Sequence, residues 1–348
     1  MENYGEQRAV NKLLSNGLEI LLWGYNSSMQ TSFIVKSGVN LTPYAARPFL
    51  KWAGGKGQLV EKLVSLFPIE MKTGQIKKYV EPFIGGGALF FYVAQTYPSI
   101  EAFFISDVNA ELILAYRTIQ NNVENLIAWL ECLEQKYHTL SRAEQKDFFY
   151  KTRTEFNYKL SSINFDKYQD SWIERTATII FLNRTCFNGL FRVNSKGEFN
   201  VPFGDYENPK IFDAINLRAV SNILQRTEIE CADFTANQFF IDEDTFVYFD
   251  PPYRPISKTA SFTSYSQYNF DDKAQKRLAD YYRLLAGKGA KLMLSNSDPR
   301  NEDPDDHFFE ELYKEFRIER VDAARMINCN GNKRGKIKEL VITNYGEG

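Results

Sequence analysis

Tyr79-Val-Glu-Pro-Phe-Ile-Gly-Gly-Gly-Ala88 is the stretch on which the fold turns. It leaves the apolar end of a short strand that begins at Lys78. Three consecutive glycines follow, and then an apolar run over residues 88–94. This order predicts a strand, a glycine turn and a helix. Glycines let the chain turn tightly and let a ligand approach the backbone. Glu81, Phe83, Gly85 and Gly87 are therefore candidate ligand contacts. About twenty residues beyond Gly85, a second apolar strand (FFIS, 103–106) ends on Asp107, where Rossmann-type sites receive ribose hydroxyls on an acidic side chain. No Gly-Lys-Ser/Thr follows the glycines, which argues against a phosphate-binding P-loop.

The same rhythm continues outward. A helix is expected from Leu112 to about Leu133, and strands at 246–249 (FVYF), 291–295 (KLMLS) and 339–343 (ELVIT). Strands alternating with helices predict an α/β fold, a twisted sheet covered on both faces. Residues 120–227 break the rhythm with a polar, helix-rich segment and a loop-rich one, NRTCFNGLFRVNSKGEFNVPFG (183–204). A long insertion between strands commonly carries specificity. Residues 1–46 hold no readable motif; LEILLW (18–23) suits a short buried strand or helix turn.

Composition narrows the class. The 348 residues include 28 Phe and 20 Tyr, enough for a large core with aromatics left over for stacking. The net charge of −2 argues against binding nucleic acid through bulk charge, so any such contact needs a local basic face. Cys132, Cys186, Cys231 and Cys329 are dispersed, and His138 and His307 are the two histidines. That pattern predicts neither a zinc site nor a disulfide framework and suits a reducing cytoplasm. No run reaches the ~20 apolar residues of a membrane span, and the N-terminus lacks a signal-peptide pattern.

Two further segments carry chemistry. Asp250-Pro-Pro-Tyr253 follows FVYF directly, and consecutive prolines must end a strand. The loop then starts at the carboxyl edge of the sheet, where open α/β folds bind ligands. An amine conjugated to a ring is a poor nucleophile. The Asp250 carboxylate and a carbonyl of the Pro251-Pro252 turn can hold both its N–H groups and favour a pyramidal nitrogen. Tyr253 can stack on an extruded base. Upstream lies Phe49-Leu-Lys-Trp-Ala-Gly-Gly-Lys56, where Lys56 can meet a ligand carboxylate and Trp52 its aliphatic part. Read alone, the same segment is equally a structural turn with a surface lysine.

FLKWAGGK (49–56), YVEPFIGGGALFF (79–91), DVNAELI (107–113), CADF (231–234) and YFDPPY (248–253) stand in the motif order of the Dam-like (alpha-group) DNA adenine-N6 methyltransferases. The chain resembles that family over residues 47–345. It looks closest to the modification enzymes of DpnII/MboI-type restriction systems, through residues 183–204, TSYS (263–266) and LSNS (294–297). The resemblance implies a Rossmann-like S-adenosylmethionine-dependent fold with an inserted helix-rich target-recognition domain. Its catalytic and cofactor-binding parts would be 47–120 and 228–348, and the insertion 121–227. It implies S-adenosyl-L-methionine contacts at Trp52, Lys56, Asp107 and Asp250. Asp233 and Phe234 would bracket the cofactor adenine, and Asp250, Pro251, Pro252 and Tyr253 would be catalytic.

In the insertion, the resemblance implies base reading by Asn188 and Arg192 and a helix wedge at Phe187. Dam itself has Tyr at the wedge, so Phe187 keeps the stacking and loses a hydroxyl. The residue types agree: Asn pairs with adenine and Arg with guanine in the major groove, and an aromatic fills the gap left by a flipped base. Lys333 and Arg334 belong to a basic Gly/Asn-rich stretch, RMINCNGNKRGKIK (325–338), suited to phosphate contacts. The implied substrate is duplex DNA at GATC, with a cognate restriction endonuclease encoded nearby or with none. The rivals are an RNA, protein or N4-cytosine methyltransferase and a catalytically silent DNA-binding homologue. Asp250 argues against an RNA or protein methyltransferase, where Asn commonly precedes Pro-Pro, and the motif order and insertion favour adenine over N4-cytosine. The intact Asp250, Tyr253 and glycine turn argue against the silent homologue.

Overall fold

The strands read as apolar runs because both of their faces are covered; β4 (Thr245–Phe249) is buried at all five positions. The computed structural model describes residues 46–52, 54–254, 270–324 and 336–346. Among them, β1 (Lys78–Glu81), β2 (Ala102–Asp107), β3 (Thr227–Cys231), β4, β5 (Lys291–Ser297), β6 (Arg317–Ala324) and β7 (Lys336–Thr343) form one sheet in the order β3-β2-β1-β4-β5-β7-β6. The first five are parallel to one another, and β7 runs antiparallel between β5 and β6.

The helices are α1 (Val60–Ser65), α2 (Ile69–Lys72), α3 (Ala88–Thr96), α4 (Ala110–Thr139), α5 (Arg142–Tyr158), α6 (Ser171–Thr185), α7 (Ala214–Leu224), α8 (Asp272–Gly287) and α9 (Phe308–Leu312). Alternate strand residues face opposite sides of a sheet. Tyr79, Phe103, Ile105, Phe246, Tyr248 and Met293 pack with α3, α4 and α7. Val80, Phe104, Val247, Phe249, Leu292 and Leu294 pack with α8 and α9. The chain leaves β1 toward β2 and β3 on one side, and enters β4 and β5 on the other. The strand order therefore reverses between β1 and β4, which opens a crevice at their carboxyl ends.

Helix α4 is capped by the Asn109 side chain, which accepts from Leu112 N at 3.1 Å. It passes position 120 and is interrupted at Asn122 (φ −153°, ψ 55°), then packs against α6 and α7. The sequence reading omitted β3 and β6, the two edges of the sheet. Edge strands carry charged side chains that blunt the apolar signal, here Glu228 and Glu230 in β3 and Arg317, Glu319 and Arg320 in β6. The extension through residue 45, TSYS and the Lys333–Arg334 pair lie outside the described residues.

Candidate active site

The loop after β1 needs its glycines. Gly85 (φ +45°) and Gly87 (φ +71°) hold left-handed backbone that side chains disfavour. A Cβ on Gly85 would lie 2.9 Å from Trp52 Cδ1, and one on Gly87 2.7 Å from the Tyr116 hydroxyl. The turn brings the Gly85 amide to the end of β2, where it donates to Asp107 Oδ2 at 3.2 Å. Asn109 N donates to Asp107 Oδ1 at 2.9 Å. Burial raises the Asp107 pKa to about 6, and these amide donors oppose the rise. Glu81, the last residue of β1, is buried and accepts from the Tyr79 hydroxyl at 2.5 Å on the same face of the sheet. Burial pushes its pKa well up.

Beside this loop lies an aromatic wall. Phe83 stacks on Phe234 (centroids 5.5 Å, planes at 30°), and Phe270 meets both edge-on. Asp233 is engaged by Arg277 through two hydrogen bonds (3.0 and 2.5 Å), and the same guanidinium lies 4.2 Å from the Phe234 centroid. The acidic residue of that pair is thus turned to Arg277, and the aromatic one faces the crevice loop.

The loop after β4 starts with Asp250, at the mouth of the same crevice. Lys56 is 5% exposed, so the surface-lysine reading of its segment fails. Its ammonium lies 3.0 Å from Asp250 Oδ1 and 3.4 Å from Glu339 Oε2, and it donates to the Tyr253 hydroxyl. Burial opposes the Lys56 charge, but Asp250, Tyr253 and Glu339 together hold its pKa above the usual lysine range. Burial raises the Asp250 pKa, and Lys56 pulls against the rise. Ser295 Oγ donates to Asp250 at 3.3 Å and pairs with the Tyr248 hydroxyl at 2.7 Å. Pro252 O accepts from Gln275 Nε2 at 3.3 Å, which fixes the Pro-Pro turn from α8.

A family model for D12 class N6 adenine-specific DNA methyltransferases matches residues 52–327. The chain belongs to this family. It is 50% identical to the Type II methyltransferase M.MjaIII of Methanocaldococcus jannaschii over 86% of this chain and 99% of that one. It is 38% identical to the Type II methyltransferase M1.LlaDCHI of Lactococcus lactis subsp. cremoris, over 90% and 99%. It is 30% identical to the DNA adenine methylase of Escherichia coli K12, over 85% and 94%. The protein is an adenine-specific DNA methyltransferase, with DNA as its substrate and the Rossmann-like fold of its family. Among the described residues, no helix is long and apolar enough to cross a membrane.

In this methyltransferase Phe187 and Asn188 sit on one tight turn that is joined to the segment at 49–52, and Arg192 lies just beyond it. Phe187 is 51% exposed, and Asn188 is exposed with φ +56°. Arg192 Nε donates to Asn200 Oδ1 at 2.7 Å, which fixes its stem. Asn183, fully buried at the end of α6, accepts from Lys51 N (2.8 Å) and donates to Lys51 O (2.9 Å) and Gly189 O (2.8 Å). Trp52 stacks on Phe191 at 5.3 Å, and Arg184 donates to Phe49 O at 2.8 Å. Further back, Arg175 on α6 pairs with Glu111 on α4 through Nε at 3.1 and 3.0 Å and through Nη2. The turn at 187–189 and the segment at 49–52 are thus one hydrogen-bonded unit.

Sequence reasoning missed Asn183, Gln275, Ser295 and Glu339 as site residues. Asn183 and Ser295 lay inside quoted stretches without a role. Glu339 had a signal, a carboxylate opening an otherwise apolar strand. Gln275 had none, because a glutamine in a polar helix turn is ordinary.

Proposed function

We propose that this methyltransferase acts on GATC in duplex DNA. It carries a methyl group from S-adenosylmethionine to N6 of the adenine, as the modification enzyme of a restriction–modification system. The observation that carries the reading is the meeting of two loops, after β1 and after β4, at the reversal of strand order. One brings Gly85, Phe83 and the Asp107 carboxylate; the other brings Asp250, Pro251, Pro252 and Tyr253. This donor set suits the cofactor: a carboxylate for ribose hydroxyls at Asp107 and an aromatic face for adenine at Phe83 and Phe234.

The cofactor would supply the electrophilic methyl group and take the C–S electron pair back on sulfur. Asp250 accepts one N–H of the adenine amine. Pro252 O already accepts from Gln275, so Pro251 O is the better second acceptor. With both N–H groups held, the nitrogen lone pair is aimed at the methyl carbon. The amine proton would leave toward Asp250, whose burial favours proton uptake. Tyr253, anchored by Lys56, stacks on the flipped base.

Target choice falls to residues 121–227 as the recognition domain. Phe187 would fill the gap in the helix, Asn188 would read next to it, and Arg192 would read guanine O6 and N7. Lys333 and Arg334 would hold phosphates. The Type II methyltransferase names of two relatives support the modification role. Plasmid from a Dam-negative host expressing this chain should resist an endonuclease blocked by adenine methylation in GATC. It should stay sensitive to one indifferent to that mark. Full cleavage by both, with methyladenine found elsewhere, refutes the GATC assignment. Asp250→Ala should abolish methylation in a folded protein, and normal turnover would refute the catalytic assignment.

A further inference from the structure

A lysine can neutralise one carboxylate, yet Lys56 stands between two. Its side chain is 4% exposed, with Asp250 at 3.0 Å and Glu339 at 3.4 Å. The second carboxylate is costly to keep there: Glu339 is 7% exposed, and its Oε2 has no hydrogen-bond partner among the described residues. Lys56 is the cation beside it, and Lys56 already has Asp250 as a closer partner, so Glu339 is the second of two buried carboxylates on one ammonium. Only strand direction explains how it arrives. β7 is antiparallel, so Glu339, the first of its residues to pair with β5 and opposite Ser297, lies at the carboxyl edge where β4 and β5 end.

We propose that Glu339 is a positioning residue that draws the Lys56 ammonium partly away from Asp250, leaving Asp250 free to act as an acceptor for the adenine amine. This rests on the catalytic reading of Asp250 above. A lysine paired with Asp250 alone would satisfy that carboxylate and weaken its hold on the amine. Shared between two carboxylates, it keeps Asp250 in place without spending it. The groups facing Asp250 are Lys56 and Tyr253 from the loops, Tyr79 and Glu81 from β1, Tyr248 from β4, Ser295 from β5 and Glu339 from β7. Of these, Lys56 lowers the proton affinity of Asp250 and Glu339 raises it. The two neighbours act in opposite directions, and that makes the role testable.

The experiment measures single-turnover methylation of a duplex with one target adenine, at saturating cofactor, between pH 5 and 9. Alongside it, calorimetry of S-adenosylmethionine is run on the full chain. The acid limb reports ionisation of Asp250. Glu339→Gln should move this limb to lower pH by roughly one unit, the size expected for one charge several ångströms away. Lys56→Gln should move it to higher pH, and adding Glu339→Gln to Lys56→Gln should shift the limb much less than Glu339→Gln shifts it in the wild-type chain, because the effect runs through Lys56. Cofactor affinity in Glu339→Gln should stay within roughly twofold of wild type. Glu339→Asp should restore the wild-type limb. A residue needed only for folding would lower the rate at every pH and leave the limb in place. An unmoved limb in Glu339→Gln, or a shift to higher pH, overturns the proposal. If Glu339→Gln does not fold, Glu339→Met, which removes the same charge and fills the buried position with an apolar side chain, is measured in its place and must move the limb the same way. Full activity of Asp250→Asn would overturn the underlying catalytic reading instead, which keeps the two failures apart.

Discussion

Cofactor affinity should fall about tenfold between pH 7 and pH 5, and Asp107 should be the cause. Its carboxyl ends β2 within 3.2 Å of the Gly85 amide, and burial raises its pKa to about 6. A carboxylate accepts from both hydroxyls of a ribose, whereas a carboxylic acid must spend one oxygen as a donor. Binding is therefore coupled to the ionised form. The sign follows from the raised pKa: the acceptor form is present above pH 6 and lost as pH falls through it. With a pKa of about 6, the ionised fraction is about 0.9 at pH 7 and about 0.1 at pH 5, a ratio of about ten. Over this window the ligand's α-amino group (pKa about 7.7–8.0) stays mostly protonated and its carboxylate ionised, so the protein is the main variable. Calorimetry in buffers of different ionisation enthalpy should record proton release on binding near pH 6. Asp107→Asn should bind more weakly at pH 7, by about 1.5–3 kcal/mol for a lost charge-assisted acceptor, and should show a flat pH dependence. A wild-type affinity that stays level from pH 7 to 5, or an unchanged slope in Asp107→Asn, refutes the assignment.

Asn183→Ala removes three buried hydrogen bonds between the recognition turn and residues 49–52; urea denaturation should report a loss of about 3 kcal/mol, and an unchanged midpoint would sink that estimate. Arg175→Met strands the Glu111 carboxylate and should cost about 3–5 kcal/mol, while adding Glu111→Leu should recover most of it, because replacing a buried pair by apolar side chains is often neutral. Arg192→Ala should relax discrimination at one base pair of the site by ~1–3 kcal/mol before it abolishes methylation of the correct sequence; competition between cognate and singly altered duplexes checks this. Lys333→Ala with Arg334→Ala should weaken binding to all duplexes alike and flatten its salt dependence, and an effect confined to one sequence would contradict a phosphate role.

Most of the scaffold was legible because the inner strands β1, β2, β4 and β5 are apolar on both faces and end in motifs with strict chemistry. Three glycines, an acid at a strand end and Asp-Pro-Pro-Tyr each need a particular backbone, so sequence and geometry coincide there. The edge strands were not legible. β3 (TEIEC) and β6 (RIERVDAA) alternate charge with apolar residues as surface helices also do, and the neighbour each pairs with decides between the two. Side-chain pairing was less legible still. Asp233 was expected beside the cofactor adenine, and the structure turns it to Arg277, forty-four residues further along the chain. Lys56 was expected to face a ligand carboxylate or solvent. In the structure its partners are the protein's own carboxylates and Tyr253, drawn from two separate segments, the loop after β4 and strand β7.

The case of Glu339 explains why such pairings elude a linear reading. Motifs mark residues whose chemistry depends on close sequence neighbours, such as the strand, turn and helix around Gly85. Glu339 depends on direction. Had β7 run parallel to β5, its first residues would lie at the amino edge of the sheet, and this carboxylate would sit far from the loops after β1 and β4. Antiparallel pairing sets Glu339 against Ser297 and Ser295 against Val341. Ser295 in turn reaches Asp250 through its hydroxyl. The strand that departs from the parallel pattern thus delivers a charge to the edge where the loops converge. In a sheet of this order, the start of the antiparallel strand is therefore a place to look for residues that tune a site without belonging to any of its motifs.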